Sequence, residues 1–183
     1  MALFYVVAAS LFWLIYLIKT KKQNPDLLKY WGFRKDNFRK VLFMLLPFGV
    51  FAIITFFITG YFLETLNINW HLIPILLTYP IWGTIQQFLL ITLLLGNLKD
   101  LINSKGRKWQ IIVLSSILFS AVHFPEYWLM LGTFILALLY GYIYLKEKNL
   151  YVLGLFHGWL GYTVVGRDPI LETFGYILPN LIN

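Results

Sequence analysis

Val41-Leu42-Phe43-Met44-Leu45-Leu46-Pro47-Phe48-Gly49-Val50-Phe51-Ala52-Ile53-Ile54-Thr55-Phe56-Phe57-Ile58-Thr59-Gly60-Tyr61-Phe62 runs for twenty-two residues without a charge. At about 1.5 Å of rise per residue, about twenty apolar residues cross a ~30 Å hydrocarbon core, so this stretch is long enough to span a bilayer as one helix. Further apolar stretches lie at 2–18, 72–96, 109–125, 128–145 and 150–166. They are too long and continuous for barrel strands, which alternate over about ten residues. A signal peptide is the rival reading of 2–18, but that stretch has no basic start or small-x-small cleavage site, and Lys19, Lys21 and Lys22 follow it like a stop signal. The whole chain agrees with a membrane location: 183 residues, 60% hydrophobic, 13% charged, mean hydropathy +0.72, against about a quarter charged in soluble domains. The expectation is one all-α domain over 1–183, a polytopic helical bundle with about six transmembrane helices.

Charge sets its orientation. Of fifteen Lys and Arg, eight fall in 19–40, four in 97–108 and two in 146–149, all alternate loops; only Arg167 lies on the other side. Basic residues are retained on the cytoplasmic face in short loops, which predicts an amino terminus outside and these three loops inside. The net charge of +7 is then an orientation signal. The expected partner is the lipid bilayer, with no nucleic acid. Residues 30–40 interleave aromatics with cations and are expected on the anionic inner leaflet. The tail 167–183 is too short to cross and is expected as an interfacial or re-entrant helix on the outer face.

Polar side chains at membrane depth are costly unless paired, which makes them functional candidates. The third span carries Gln86 and Gln87; the fourth carries Ser115, Ser116, Ser120 and His123; the sixth carries His157 beside Gly154, Gly158 and Gly161. No Asp, Glu, Lys or Arg lies inside a span, and Glu126 sits at the outer end of the fourth. The serines read as interhelical hydrogen-bond glue, and Gly154 with Gly158 as a small-xxx-small pair admitting a close neighbour. His71 reads as interfacial. Two histidines on different spans plus adjacent glutamines point to a shared site. Counted from the outer face at about 1.5 Å per residue, Gln86 and His157 lie about 20 Å deep and His123 about 5 Å. With no cysteine, thiolate metal sites and cysteine catalysis are excluded. The residue types also permit bis-histidine haem ligation by His123 and His157, which the depth difference disfavours.

Gly83-Thr84-Ile85-Gln86-Gln87-Phe88-Leu89-Leu90-Ile91, then Phe119-Ser120-Ala121-Val122-His123, then Asn149-Leu150 and His157-Gly158-Trp159-Leu160-Gly161 resemble the CPBP family of type II CAAX prenyl endopeptidases and bacteriocin-immunity (Abi) proteins. The family pattern is E-E-x-x-x-R, F-x-x-x-H and H-x-x-x-N on successive helices. Gly32-Phe33-Arg34-Lys35-Asp36-Asn37 is similar to the family's G-x-R-x-x-N segment before the second span. The resemblance covers about 30–165. It implies a glutamate that activates water for peptide hydrolysis, with histidines and a bound metal such as zinc assisting. Here that assigns Gln86, Gln87, His123 and His157 to the catalytic positions, His123 and His157 to the metal, and Phe119 and Gly161 to supporting positions. The implied partner is a prenylated or hydrophobic peptide, and the implied location a prokaryotic cytoplasmic membrane.

The departures bear on the chemistry. Gln86 and Gln87 stand where the pattern has glutamates, Ile91 where it has arginine and Gly161 where it has asparagine. A glutamine can accept a hydrogen bond and orient water, but cannot take a proton near neutral pH. A catalytic zinc usually has three protein ligands; two histidines remain, with Glu126 as a substitute third. Two functions follow: an intramembrane metalloendopeptidase in which a histidine replaces the glutamate base, or a catalytically inactive homologue acting in membrane binding or bacteriocin immunity.

Overall fold

The computed structural model describes residues 2–62, 64, 72–101 and 107–163. Every regular element among them is helical: α1 (Ala2–Gln23), α2 (Pro25–Trp31), α3 (Phe38–Phe62), α4 (Leu72–Gln87), a π-helical segment (Phe88–Gly96), α5 (Asn97–Leu101), α6 (Lys108–Ala121), α7 (Tyr127–Glu147) and α8 (Leu150–Thr163). Among the described residues each of the six apolar stretches contributes a helix. Among the described residues three helical runs are long and apolar enough to cross a membrane, Phe38–Phe62, Leu76–Lys99 and Tyr127–Glu147, while α6 and α8 contribute shorter apolar helices. The 109–125 stretch differs from its expectation: its helix stops at Ala121, and the following turn is tied by His123 N–H to Ser120 O at 3.0 Å. The expected tail helix at 167–183 and His71 lie outside the described residues.

The bundle is organised by α8, which packs along α4 and against α3, while α6 pairs with α7. Leu45, Ile91, Leu95, Ile112, Tyr140, Tyr144 and Leu153 form the fully buried core between them. α3 is peripheral, with only Val41, Leu45, Gly49 and Gly60 buried and Phe43, Phe51 and Tyr61 turned outward. The α4–α8 contact is backbone to backbone. A Cβ added at Gly83 would meet Gly154 O at 2.6 Å, and one added at Gly158 would meet Pro80 N at 2.5 Å. Gly154 and Gly158 thus have the role read from their spacing, and the neighbour they admit is α4.

The basic stretch 19–40 is more ordered than a loop. α1 runs on to Gln23; Asn24 then caps α2 by accepting from Leu27 N–H at 3.2 Å, with Pro25 at the first helical position. Gly32 ends α2 in the left-handed region at φ 100°, which an L side chain rarely adopts. Its carbonyl accepts Leu150 N–H at 2.7 Å. Asn149 caps α8 by accepting Val152 N–H at 3.1 Å, and its amide donates to Arg34 O at 2.9 Å and Asn37 Oδ1 at 2.7 Å. The Asn37 amide donates to Glu147 O at 2.5 Å, and Lys40 pairs with Glu147 at 2.6 Å. Trp31 O accepts from both Tyr144 and Thr92 hydroxyls. The exposed Asp36 carboxyl bonds the Arg34 guanidinium, which holds it down to about 2. Residues 30–40 are therefore a clasp over the α7–α8 turn.

Candidate active site

Gln86 and Gln87 close α4 where its hydrogen-bond ladder widens into the π-helical segment. Such segments often occur at functional sites because they re-aim successive side chains. Neighbouring helix residues point in different directions, and these two separate. Gln86 faces α8, while Gln87 is 0% exposed in the core. Phe88, the next residue, is fully buried in an aromatic cluster with Trp13, Trp31 and Phe33. That cluster anchors the α-to-π junction against α1 and α2.

His157 sits on the buried face of α8, and its Nε2–H donates to Gln86 Oε1 at 2.9 Å. The bond leaves the lone pair of the neutral imidazole on Nδ1, which is buried without a hydrogen-bond partner among the described residues. His123 follows the end of α6 and spends the opposite nitrogen: Nδ1–H donates to Phe119 O at 2.9 Å, so Nε2 is its accepting atom. The buried Phe119 ring touches both imidazoles, its centroid 5.4 Å from each ring centroid. Gln86 and His157 are therefore joined directly, and His123 lies close by, with the Phe119 ring against both imidazoles.

The remaining candidates divide. Both amide atoms of Gln87, Ser115 Oγ and Tyr140 OH are buried without a partner among the described residues. Such atoms are costly, about 1–3 kcal/mol each, and are the kind a bound polar group or water would satisfy. Among the described residues one of the three serines bridges helices: Ser120 donates to Met130 O at 2.7 Å, whereas Ser116 donates within its own helix to Ile112 O. Gly161 falls in the last turn of α8, outside the residues whose surroundings are described.

Glu126 is exposed at the start of α7. Among the described residues no group of three or more His, Cys, Asp or Glu converges to hold a metal ion, so Glu126 does not complete a set with the two histidines. Among the described residues the donors at this site are imidazoles and neutral amides, which leave both charges of a dication uncompensated in a low-dielectric surround. These residues do not fit a catalytic divalent cation.

The roles of Gly32, Asn37, Asn149 and Phe88 were not read from the sequence. The Gly-x-Arg-x-x-Asn run that begins at Gly32 is the available sequence signal for the clasp; nothing in the apolar run 88–96 marks Phe88.

Comparison with curated proteins and with solved structures gave no match. Residues 68–163 match the family model described as type II CAAX prenyl endopeptidase Rce1-like. The matched region is more than half of the chain, and it contains Gln86, Gln87, Phe119, His123 and His157. This integral membrane chain belongs to the Rce1-like type II CAAX prenyl endopeptidase family.

Proposed function

We propose that the chain binds a prenylated or otherwise membrane-embedded peptide at the Gln86–His157 site and does not hydrolyse it by a glutamate-dependent route. The observation that carries this reading is the 2.9 Å bond from His157 to Gln86. Where the family places a proton-accepting carboxylate, a neutral amide oxygen holds the imidazole. That oxygen can orient a peptide or a water, but it cannot accept the proton that a general base removes, a contribution of about 10²- to 10⁴-fold. The donor set argues equally against a metal-bound water. Recognition without cleavage suits a membrane binding or bacteriocin-immunity role. The membrane is read as a prokaryotic cytoplasmic one, with the basic loops inside.

The test is reconstitution in liposomes with a photo-crosslinkable farnesylated peptide, following capture and cleavage separately. Wild type is expected to capture without cleaving, and His157→Ala to lose capture. Gln86→Glu with Gln87→Glu is expected to gain cleavage. Cleavage by wild type that vanishes on His157→Ala would overturn the reading.

One observation favours a second reading, in which the protein is an endopeptidase with a histidine base. His123 holds its proton on Nδ1 toward Phe119 O, which leaves Nε2 free to accept one. In that case His123→Ala abolishes the same wild-type cleavage.

A further inference from the structure

Pro80 lies inside α4 and has no N–H to give the carbonyl four residues back, that of Leu76. In a helix facing lipid no water replaces the lost donor, and such carbonyls are met by groups from neighbouring helices. Here the donor comes from α8: Trp159 Nε1–H reaches Leu76 O at 3.2 Å. Leu76 and Trp159 are both exposed, so this bond sits at the surface of the bundle, away from its core. Trp159 stands two residues after His157, with Gly158 between them. At 3.6 residues per turn, successive side chains leave a helix about 100° apart. Gly158 faces α4 directly, since a Cβ added there would meet Pro80 N at 2.5 Å. His157 and Trp159 then project to either side of that contact, one bonding Gln86 at 2.9 Å and the other Leu76 O. α8 thus grips α4 from both sides, at points about 15 Å apart along the helix, with Pro80 between them.

We propose that Trp159 is a positioning residue for His157: by standing in for the N–H that Pro80 lacks, it fixes the rotation of α8 that aims His157 at Gln86. The reason lies in the contact between the two grips. Glycine presents no side chain to resist a turn of α8 about its own axis, so the orientation of this part of the helix depends on the bonds that flank Gly158. One of them belongs to the Gln86–His157 pair itself. Without the other, the outer end of α8 can turn away from Gln86 while the backbone contact at Gly158 persists. The inference rests on the reading of Gln86–His157 as the binding site only for its consequence in peptide capture; the aim of His157 is a property of the free protein.

The test is nitrogen-15 NMR of the histidine-labelled full chain in detergent micelles, with the His157 signal identified by its loss in His157→Ala. Wild type is expected to show the Nε2–H tautomer with a downfield, hydrogen-bonded proton. Trp159→Phe keeps an aromatic ring and removes the donor. It is expected to move that proton upfield and mix the tautomers, and to weaken capture of the farnesylated peptide about threefold, the effect of about one hydrogen bond between membrane helices. Pro80→Ala returns a helical N–H to Leu76 O, so adding Trp159→Phe in that background is expected to leave the His157 signal as it is in Pro80→Ala alone. The lost ring volume is the same in both backgrounds, and this second comparison carries the test if Trp159→Phe alone does not fold. Trp109→Phe, at an exposed tryptophan on α6, is expected to leave the signal unchanged. An unchanged His157 signal in Trp159→Phe overturns the proposal, as does an equal shift with Trp109→Phe or a shift that persists undiminished in the Pro80→Ala background. Failure of the wild type to capture peptide would instead remove the functional reading alone, since the signal is recorded without peptide.

Discussion

The bond between His157 and Gln86 is the smallest unit on which the functional reading rests, and its strength is measurable. Polar pairs between membrane helices couple by about 0.6–1.7 kcal/mol in double-mutant cycles. Gln86→Ala and His157→Ala, alone and combined, are therefore expected to show a coupling of about 1 kcal/mol in unfolding from bicelles; strict additivity would remove the pair from the site. These residues stood out in the sequence because charge-free spans make every polar side chain conspicuous. Which glutamine meets the histidine was not legible. Both lie in the last turn of α4, and only the three-dimensional crossing with α8 decides which of two adjacent positions faces it. The depth count set His123 apart from the other two, and the structure brings it close to His157, with the Phe119 ring against both.

Helices α4 and α8 approach closely because glycines remove the side chains between them, and this makes glycine positions unequal. At Gly158 an added methyl meets the backbone of Tyr79 and Pro80, which moves only if the whole helix moves. Gly158→Ala is expected to destabilise by about 1–3 kcal/mol, the usual cost of overpacking. Gly132 on α7 has nothing within 4 Å of the same added atom. There alanine is expected to stabilise by about 0.5–1 kcal/mol through its better helix propensity. Thermal unfolding of the two variants side by side checks the contrast, and equal effects would remove the close approach as its cause. The small-xxx-small spacing was legible in α8 alone. Its partner was not, because Gly83 offers one small residue beside Tyr79, Pro80 and Trp82, and only the three-dimensional crossing selects it.

For the whole molecule, the orientation read from fourteen of fifteen basic residues is open to direct measurement, and the cysteine-free sequence supplies a clean background. Lys35→Cys is expected to react with a membrane-impermeant maleimide only from the cytoplasmic side, and Tyr127→Cys only from the outer side. Both positions are exposed. The reverse pattern would invert the topology. Membrane class and helix placement were legible because hydrophobic length and charge sorting are local properties of the chain. The clasp was not, since its bonds join residues far apart in sequence: Asn149 reaches Arg34 across 115 positions. That separation has a consequence for biosynthesis. At about 5–20 residues per second, the segment before α3 waits on the order of ten seconds for the partners that satisfy its backbone. Throughout that interval the Gly32 carbonyl and the Asn37 amide lack their eventual bonds to the α7–α8 turn. The amino-terminal part of the bundle is then inserted but not locked, and its exposure to membrane quality-control proteases ends only when α8 arrives.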